Sequence, residues 1–556
     1  MKPRMFHLMF VVAALLCTGA CGAPETPAGN PAMQNPDSAF LVWQPGIYTR
    51  FTAEDRPKPE GADTLTATVC GNEQAAFQLA AMHMTGAEDL RVVCGALAGS
   101  GGAEIPEAAW QVRFAEYAGT KEAGRVSDIL SDDTPRPLPE KTAQPIWLTL
   151  HVPAGAAPGA YAGQVAVRCG ADAVRTFPVH LEVIGVDLPD ATKDRFYLDL
   201  WQHPGAIARY HEVDLWSEAH WALIRAYTRL LAEAGQNPIT ACVIHDPWAS
   251  QTYDAHPAMV QWIREADGSF SFDFTQFDRY VALCLEEGLP GPINCYSLAM
   301  GPGKRMDCPI RYWDAAEARY KKLESTVGDE TYRSVWKQFF AVFTPHLKEK
   351  GWFDNTCIAM DEAPEEKMQA MFAVLPEEYQ VALAGRYHKA LDERIHDYCV
   401  FYPGAEQSVA EARRARGDIT TFYTCCGPEF PNTFAFSPPV ESQLLGWIAL
   451  QRNGDGYLRW AFASWPEAPL ESADWGNWPA ADTFVVYPGP RSSVRFELMK
   501  RGIQDFNAWH LAKEKAPDDP RLAEAIELAN AQHNGRKFDP ATLEQARALV
   551  NAVLAE

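Results

Sequence analysis

The segment NTCIAMDEAPEE, residues 355–366, concentrates groups able to move protons. An apolar run, Thr356 to Met360, delivers two adjacent carboxylates, Asp361 and Glu362, and Pro364 then ends the segment. Neighbouring side chains in a regular strand face opposite ways, but at a strand end that alternation fails and both groups can turn to one side. An adjacent pair suits substrate-assisted retaining chemistry at a glycosidic bond, in which the sugar's own 2-acetamido oxygen attacks the anomeric carbon. Asp361 would then hold the acetamido N–H, while Glu362 would protonate the leaving oxygen and later activate water. The same residues also have a bland reading, because acidic groups after a strand cap the helix that follows.

Those carboxylates need a scaffold. After Pro189 the chain alternates short apolar strands with amphipathic helices, the pattern of an α/β fold with a parallel sheet. The predicted strands are residues 196–200, 239–245, 293–298, 356–360, 380–384, 397–402, 419–424 and 457–462. A helix over 217–234 stops at Gly235, and another over 275–287 stops at Gly288. Eight strands with interposed helices predict a (β/α)8 TIM-like barrel over residues 191–510. The alternative is an open doubly wound sheet, which lacks its glycine-rich phosphate loop here. Gly301-Pro302-Gly303-Lys304 has no strand-loop-helix context and is not read as one.

A barrel's active site lies where its strands end, so polar and aromatic residues just past each strand are the candidates. Trp201 and His203 follow the first strand, Asp246 and Trp248 the second, and Tyr387 and His388 the fifth. Tyr423 to Glu429 lie at and after the seventh, Trp460 and Trp465 at and after the eighth. Rings among them could stack on a pyranose, although any single Trp or Tyr serves equally well as core. Arg495 and Glu497 are expected to form a structural polar network under the last barrel helix.

Residues 38–190 read as short alternating strands broken by Gly, Pro and Asp, an N-terminal β-sandwich. Val179, Leu181 and Val183 should face its core while His180 and Glu182 face out. Residues 144–167 read as two strands joined by a Pro/Gly connection, as in a hairpin. Ahead of this domain, Lys2 and Arg4 precede an apolar stretch, Phe6 to Leu16, too short to span a bilayer. That is a signal peptide over residues 1–21. The stretch ends Thr18-Gly19-Ala20-Cys21, resembling a bacterial lipobox with Cys21 as the lipidated residue, and ordinary cleavage near Ala20 or Ala23 is the alternative. Residues 22–37, rich in Pro and Gly, form a linker, and residues 511–556 a short C-terminal helical segment. The expected location is therefore outside the cytoplasm, periplasmic or at the cell surface, with the membrane reached through an N-terminal lipid anchor.

A formal charge of -23 over 556 residues, with no basic stretch, argues against nucleic acid as a partner. Thirteen cysteines lack metal-ligand spacing, so no metal and no cofactor are expected. Cys242, Cys295 and Cys357 lie in apolar strands and read as buried thiols, and the adjacent pair Cys425-Cys426 is not a CxxC motif.

Several segments taken in order resemble glycoside hydrolase family 123, the bacterial β-N-acetylgalactosaminidases. They are QPIWLTLHVP with PGAYAGQVAV, FYLDLWQHP, the DEAP pair, FYTCCGPEFPN, GYLRWAFASW and TFVVYPGPRSSVRFELMKRGIQDF. The resemblance implies an exo-acting, substrate-assisted, retaining enzyme for terminal β-linked N-acetylgalactosamine on glycan or glycosphingolipid-type substrates. It implies Asp361 and Glu362 as the catalytic pair, with Trp460 and Trp465 walling the acetamido pocket and His203, Tyr387 and Tyr423 contacting the sugar. Two other readings stay open: an ordinary retaining glycosidase using Glu362 with Glu429 as nucleophile, and a non-catalytic surface glycan-binding lipoprotein.

Overall fold

The computed structural model describes residues 39–56, 63–170, 173–193, 195–402, 407–531 and 539–556. Cys21, the signal peptide and the linker therefore lie outside the described residues. Residues from Ala39 to Glu556 form one compact unit.

Two sheets make up the N-terminal part. One has five antiparallel strands in the order Phe40–Trp43, Gln74–His83, Gln144–His151, Trp110–Thr120, Gly124–Ser131. The other has seven, built around Gly159–Cys169 and Ala173–Asp187. Phe77, Leu79 and Ile146 from the first meet Val165, Val179 and Leu181 from the second in one shared core. The alternation predicted from the sequence is present: Val179, Leu181 and Val183 are buried, His180 and Glu182 exposed. The hairpin expected over 144–167 is not. Gln144–His151 pairs within the first sheet and Gly159–Cys169 within the second, so the Pro/Gly connection crosses between sheets.

All eight predicted parallel strands exist. We name them β1 (Tyr197–Leu200), β2 (Ile239–Cys242), β3 (Ile293–Tyr296), β4 (Thr356–Asp361), β5 (Gln380–Gly385), β6 (Asp397–Phe401), β7 (Ile419–Tyr423) and β8 (Gly456–Arg459). They form one curled sheet in the order β1-β8-β7-β6-β5-β4-β3-β2. Between β1 and β2 the ladder gives way to a single bridge, Leu198 to Gln236, and to side chains. Asn237 Oδ1 accepts from the Leu198 N–H (3.1 Å), Gln236 Oε1 from the Leu200 N–H (2.8 Å), and Gln202 Oε1 from the Thr240 N–H (2.7 Å). Amide side chains thus satisfy edge groups that would otherwise stay open.

The two predicted helices appear as Glu218–Glu233 and Thr275–Glu286, and Gly235 and Gly288 take left-handed φ values of 79° and 100° just beyond them. An additional four-stranded sheet, including Gln261–Arg264 and Ile310–Asp314, is built from the long connections flanking β3. Helix Val494–Lys515 runs unbroken through residues 510 and 511.

Buried ion pairs join the sandwich to the parallel-sheet part. Arg113 meets Glu497 and Asp128 meets Arg495, both at 2.8 Å, which gives the polar network under the last helix a structural role. From the C-terminal helix Ala541–Ala555, Arg547 reaches Glu73 of the sandwich (2.7 Å) and Asp505 of the long helix (2.8 Å). Removing one partner of such a cluster leaves charge buried without compensation. Arg547→Met is accordingly expected to cost about 3–5 kcal/mol, read as a lower urea midpoint with the transition still followed by both near- and far-UV circular dichroism.

Candidate active site

The inner face of the curled sheet is lined by small residues: Cys357 and Ala359 on β4, Ala382 and Ala384 on β5, and Cys399 on β6. Ile358, Met360, Val381 and Leu383 point outward against the helices. This alternation leaves room inside for large rings. Trp201, Trp248 and Tyr296 fill it as a triad, with ring centroids 4.7–5.0 Å apart. Tyr423, Leu458 and the partly buried Trp460 complete the cluster.

Asp361 continues the inward series from Cys357 and Ala359, and strict alternation would send Glu362 outward. The backbone prevents that. Glu362 has a left-handed φ of 39°, a conformation that costs on the order of 1–3 kcal/mol for a residue with a Cβ. Its N–H donates to the Ala384 carbonyl on β5 (2.7 Å), and its carbonyl accepts from the Gly303 N–H (2.9 Å). Gly385 makes room for the turn, because a Cβ there would come within 3.3 Å of the Glu362 Cα. The Tyr423 hydroxyl, from the end of β7, donates to Glu362 Oε1 at 2.6 Å. Burial and the neighbouring Glu362 charge hold the Tyr423 phenol far above its usual range, so it remains a donor.

Two environments result for two adjacent carboxyls. Glu362 is exposed at the mouth. Asp361 has its pKa raised well above the ordinary carboxylate range, first by desolvation and then by the Glu362 charge, while Lys367 and the Trp248 indole N–H oppose the rise. That indole N–H is buried and has no acceptor in full hydrogen-bond geometry, so it remains available inside the pocket. Lys367 itself is buried and donates to the Gly301 carbonyl (2.9 Å). The Gly-Pro-Gly-Lys segment thus supports Glu362 through Gly303, with Lys367 fastening it.

The sequence candidates divide sharply. Trp201, Trp248, Tyr423 and Trp460 share the inner cluster, and from it Trp248 and Tyr423 reach the pair itself. His203 does not face it: Nδ1 caps helix Pro204–Tyr210 through the Ala206 N–H, Nε2 meets the Asp254 carbonyl (3.0 Å), and the ring stacks on His256. Trp465 is fully buried in the outer core, where it packs on Tyr210 and Tyr227 and donates to the Val486 carbonyl. Tyr387 packs on Tyr398 outside the sheet, and the His388 N–H donates to the Tyr398 hydroxyl as a short 3-10 turn begins. Glu429 is exposed on the loop after β7, and its charge acts on Glu441.

Sequence reasoning missed Tyr296, Lys367 and the wall beyond Trp460. There Trp460 Nε1 donates to the buried Asp482 (3.3 Å), its ring meets Trp478 edge-on at 5.4 Å, and Trp478 Nε1 donates to the Gln251 carbonyl (3.1 Å). Tyr296 ends a strand and was legible by the same rule as the others; Lys367 and Trp478 carry no such signal. Among the described residues no cluster of His, Cys, Asp and Glu could hold a metal ion. A cavity of about 750 Å³ is lined by residues of the sandwich, of helix Val494–Lys515 and of the C-terminal helix, and its charged lining includes the pairs Arg501–Glu544 and Arg547–Glu73.

Residues 201–512 match the model of the glycoside hydrolase 123 catalytic domain, and residues 47–169 that of the glycoside hydrolase 123 N-terminal domain. The chain belongs to glycoside hydrolase family 123. No curated protein sequence matches it. Among solved structures it is similar to a family 123 glycoside hydrolase from Clostridium perfringens, described in a study of glycolipid glycan hydrolysis. The TM-score is 0.80 at 23% identity over 93% of this chain and 97% of that one. A Bacteroides ovatus GH5 xyloglucanase aligns at a TM-score of 0.26 and 8% identity, over 79% of this chain and 98% of that one. Family 123 membership makes the chain a glycosidase.

Because burial favours the protonated Asp361, the folded state binds more protons there than the unfolded chain, and stability falls as pH rises above about 4. Asp361→Asn should therefore raise Tm at neutral pH, with the gain disappearing in acid below that value. A thermal-melt series over pH checks the sign.

Proposed function

We propose that this glycosidase releases terminal β-linked N-acetylgalactosamine by a substrate-assisted, retaining mechanism, with Asp361 and Glu362 as the catalytic pair. The observation that carries the reading is the contrast within that pair: one carboxyl half-buried and desolvated beside the inner ring cluster, its neighbour exposed and turned to the mouth by a strained residue. A half-buried, desolvated Asp361 suits an acceptor for the acetamido N–H, which would draw it into its ionised form as the oxazolinium-like centre develops. Exposed Glu362, held by Tyr423, suits proton delivery to the leaving oxygen and later activation of water. Trp201, Trp248 and Trp460 supply apolar walls for the acetamido methyl group and the pyranose ring.

The same reading treats the curled sheet as a (β/α)8 barrel whose β1–β2 side is closed by Gln202, Gln236 and Asn237. We propose further that the chain is exported and anchored through lipidated Cys21, with 22–37 as spacer, 38–190 as accessory domain, a catalytic domain from 191 that ends with helix Val494–Lys515 rather than at 510, and terminal helices after it. A glycan or glycosphingolipid-type substrate would be met outside the cytoplasm.

Turnover of a chromogenic β-N-acetylgalactosaminide, with little of the plain β-galactoside, is the expected pattern. Glu362→Gln should lose about two or more decades of kcat/KM, while Glu429→Gln should change it little. Cleavage of the plain galactoside, or a collapse in the Glu429 variant, would transfer the chemistry to an ordinary retaining pair. The neutral thiazoline that mimics the oxazoline has a ring nitrogen without a proton, so it pairs with the protonated Asp361 that burial favours; its binding should weaken, and begin to take up a proton, as pH rises through the raised Asp361 pKa. Calorimetry in buffers of different ionisation enthalpy measures that proton directly.

A further inference from the structure

Cys425 and Cys426 follow directly on Tyr423 and Thr424 at the end of β7, beside the residue that holds Glu362. Their sulfurs lie 3.8 Å apart. Cys425 is partly buried against the inner ring cluster, whereas Cys426 is exposed and close enough for the Glu362 and Asp482 charges to act on it. The backbone beneath them is fixed: the Cys425 N–H donates to the Gly427 carbonyl (3.0 Å), and the Cys425 carbonyl accepts from Asn432 Nδ2 (2.9 Å). The described cysteines outside this pair are buried, apart from a half-buried Cys94. The glycosidase reading gives the two thiols no task.

We propose that Cys425 and Cys426 are a reversible modification site, closing to a vicinal disulfide at the mouth of the active site by exchange with a disulfide-class oxidant. The Cys426 thiolate attacks one sulfur of the oxidant and expels a thiolate, leaving a mixed disulfide on Cys426. Cys425 then loses its proton, and its sulfur attacks Cys426 Sγ and expels the second thiolate. Two protein thiols are oxidised and one small disulfide is reduced to two thiols. Order follows from access and charge: the Cys425 thiol stabilises the Cys426 thiolate and lowers its pKa to about 7, while Cys425 is raised by the same contact and by burial.

Adjacent residues joined by a trans peptide hold their Cα atoms about 3.8 Å apart, below the roughly 4.4–6.8 Å that relaxed disulfides span. The ring is therefore strained and readily reduced, which suits a switch better than a staple. Closing it replaces two thiols, one of them partly ionised near neutral pH, with an uncharged apolar surface beside Glu362.

The test uses the folded full chain, reduced, freed of reductant, and incubated with oxidised glutathione before alkylation and peptide mass mapping. The 425–426 peptide should lose two hydrogens, escape alkylation, and regain two alkylated cysteines after dithiothreitol. Cys425→Ser should stall as a glutathione adduct on Cys426, and Cys426→Ser should show neither ring nor appreciable adduct. Two freely alkylated cysteines in the oxidised wild type, or a wild-type adduct as persistent as that of Cys425→Ser, would overturn the proposal. Because the readout is mass, it stands or falls separately from the glycosidase assay.

Discussion

One backbone torsion organises the site. A strand can offer only alternate side chains to one face, so two sequence neighbours can serve one pocket only if the chain breaks its own geometry between them. Glu362 supplies that break with its left-handed φ, and three contacts from three separate segments keep it from relaxing: Ala384 on β5, Gly303 on the β3 loop and Tyr423 on β7. Strain of this kind persists only where surrounding structure over-determines it. Here the surrounding structure is most of the curled sheet.

The interior adapts to the same requirement. Alanine and cysteine on the inner faces of β4, β5 and β6 give up packing volume so that Trp201, Trp248 and Tyr296 can stand behind Asp361. Those rings exclude water, and the low dielectric that follows raises the Asp361 carboxyl. Burial therefore works against the charged form at this residue, and an uncharged side chain would suit the fold better.

Rigidity at the strand ends also depends on what lies beneath them. The sandwich is fused to the catalytic part by Arg113–Glu497, Asp128–Arg495 and the Arg547 cluster, all deeply buried. Tyr487 donates to Asp128 as well, and Arg495 reaches the Thr433 and Phe484 carbonyls, so the loops following β7 and β8 are tied to the same network. Ion pairs of this type contribute more to defining one arrangement than to net stability.

The sequence by itself determined the eight parallel strands, the helices ending at Gly235 and Gly288, and the carboxylate pair at the tip of β4. These are local properties: apolar run length, helical spacing and a terminating glycine or proline act over a few residues. It also carried the resemblance that the family match bears out. What it could not determine was which way side chains past the strand ends turn. His203 is taken up by a helix cap and a stacked histidine, Trp465 by the outer core, and Tyr387 and His388 by Tyr398, although each follows its strand as closely as Trp201 or Tyr423 does. Lys367 and Gly303 became part of the site only because a loop from β3 passes beneath the turn after β4. Past the last hydrogen-bonded residue of a strand, side-chain direction follows the path of the loop, and that path is fixed by contacts between segments far apart in sequence.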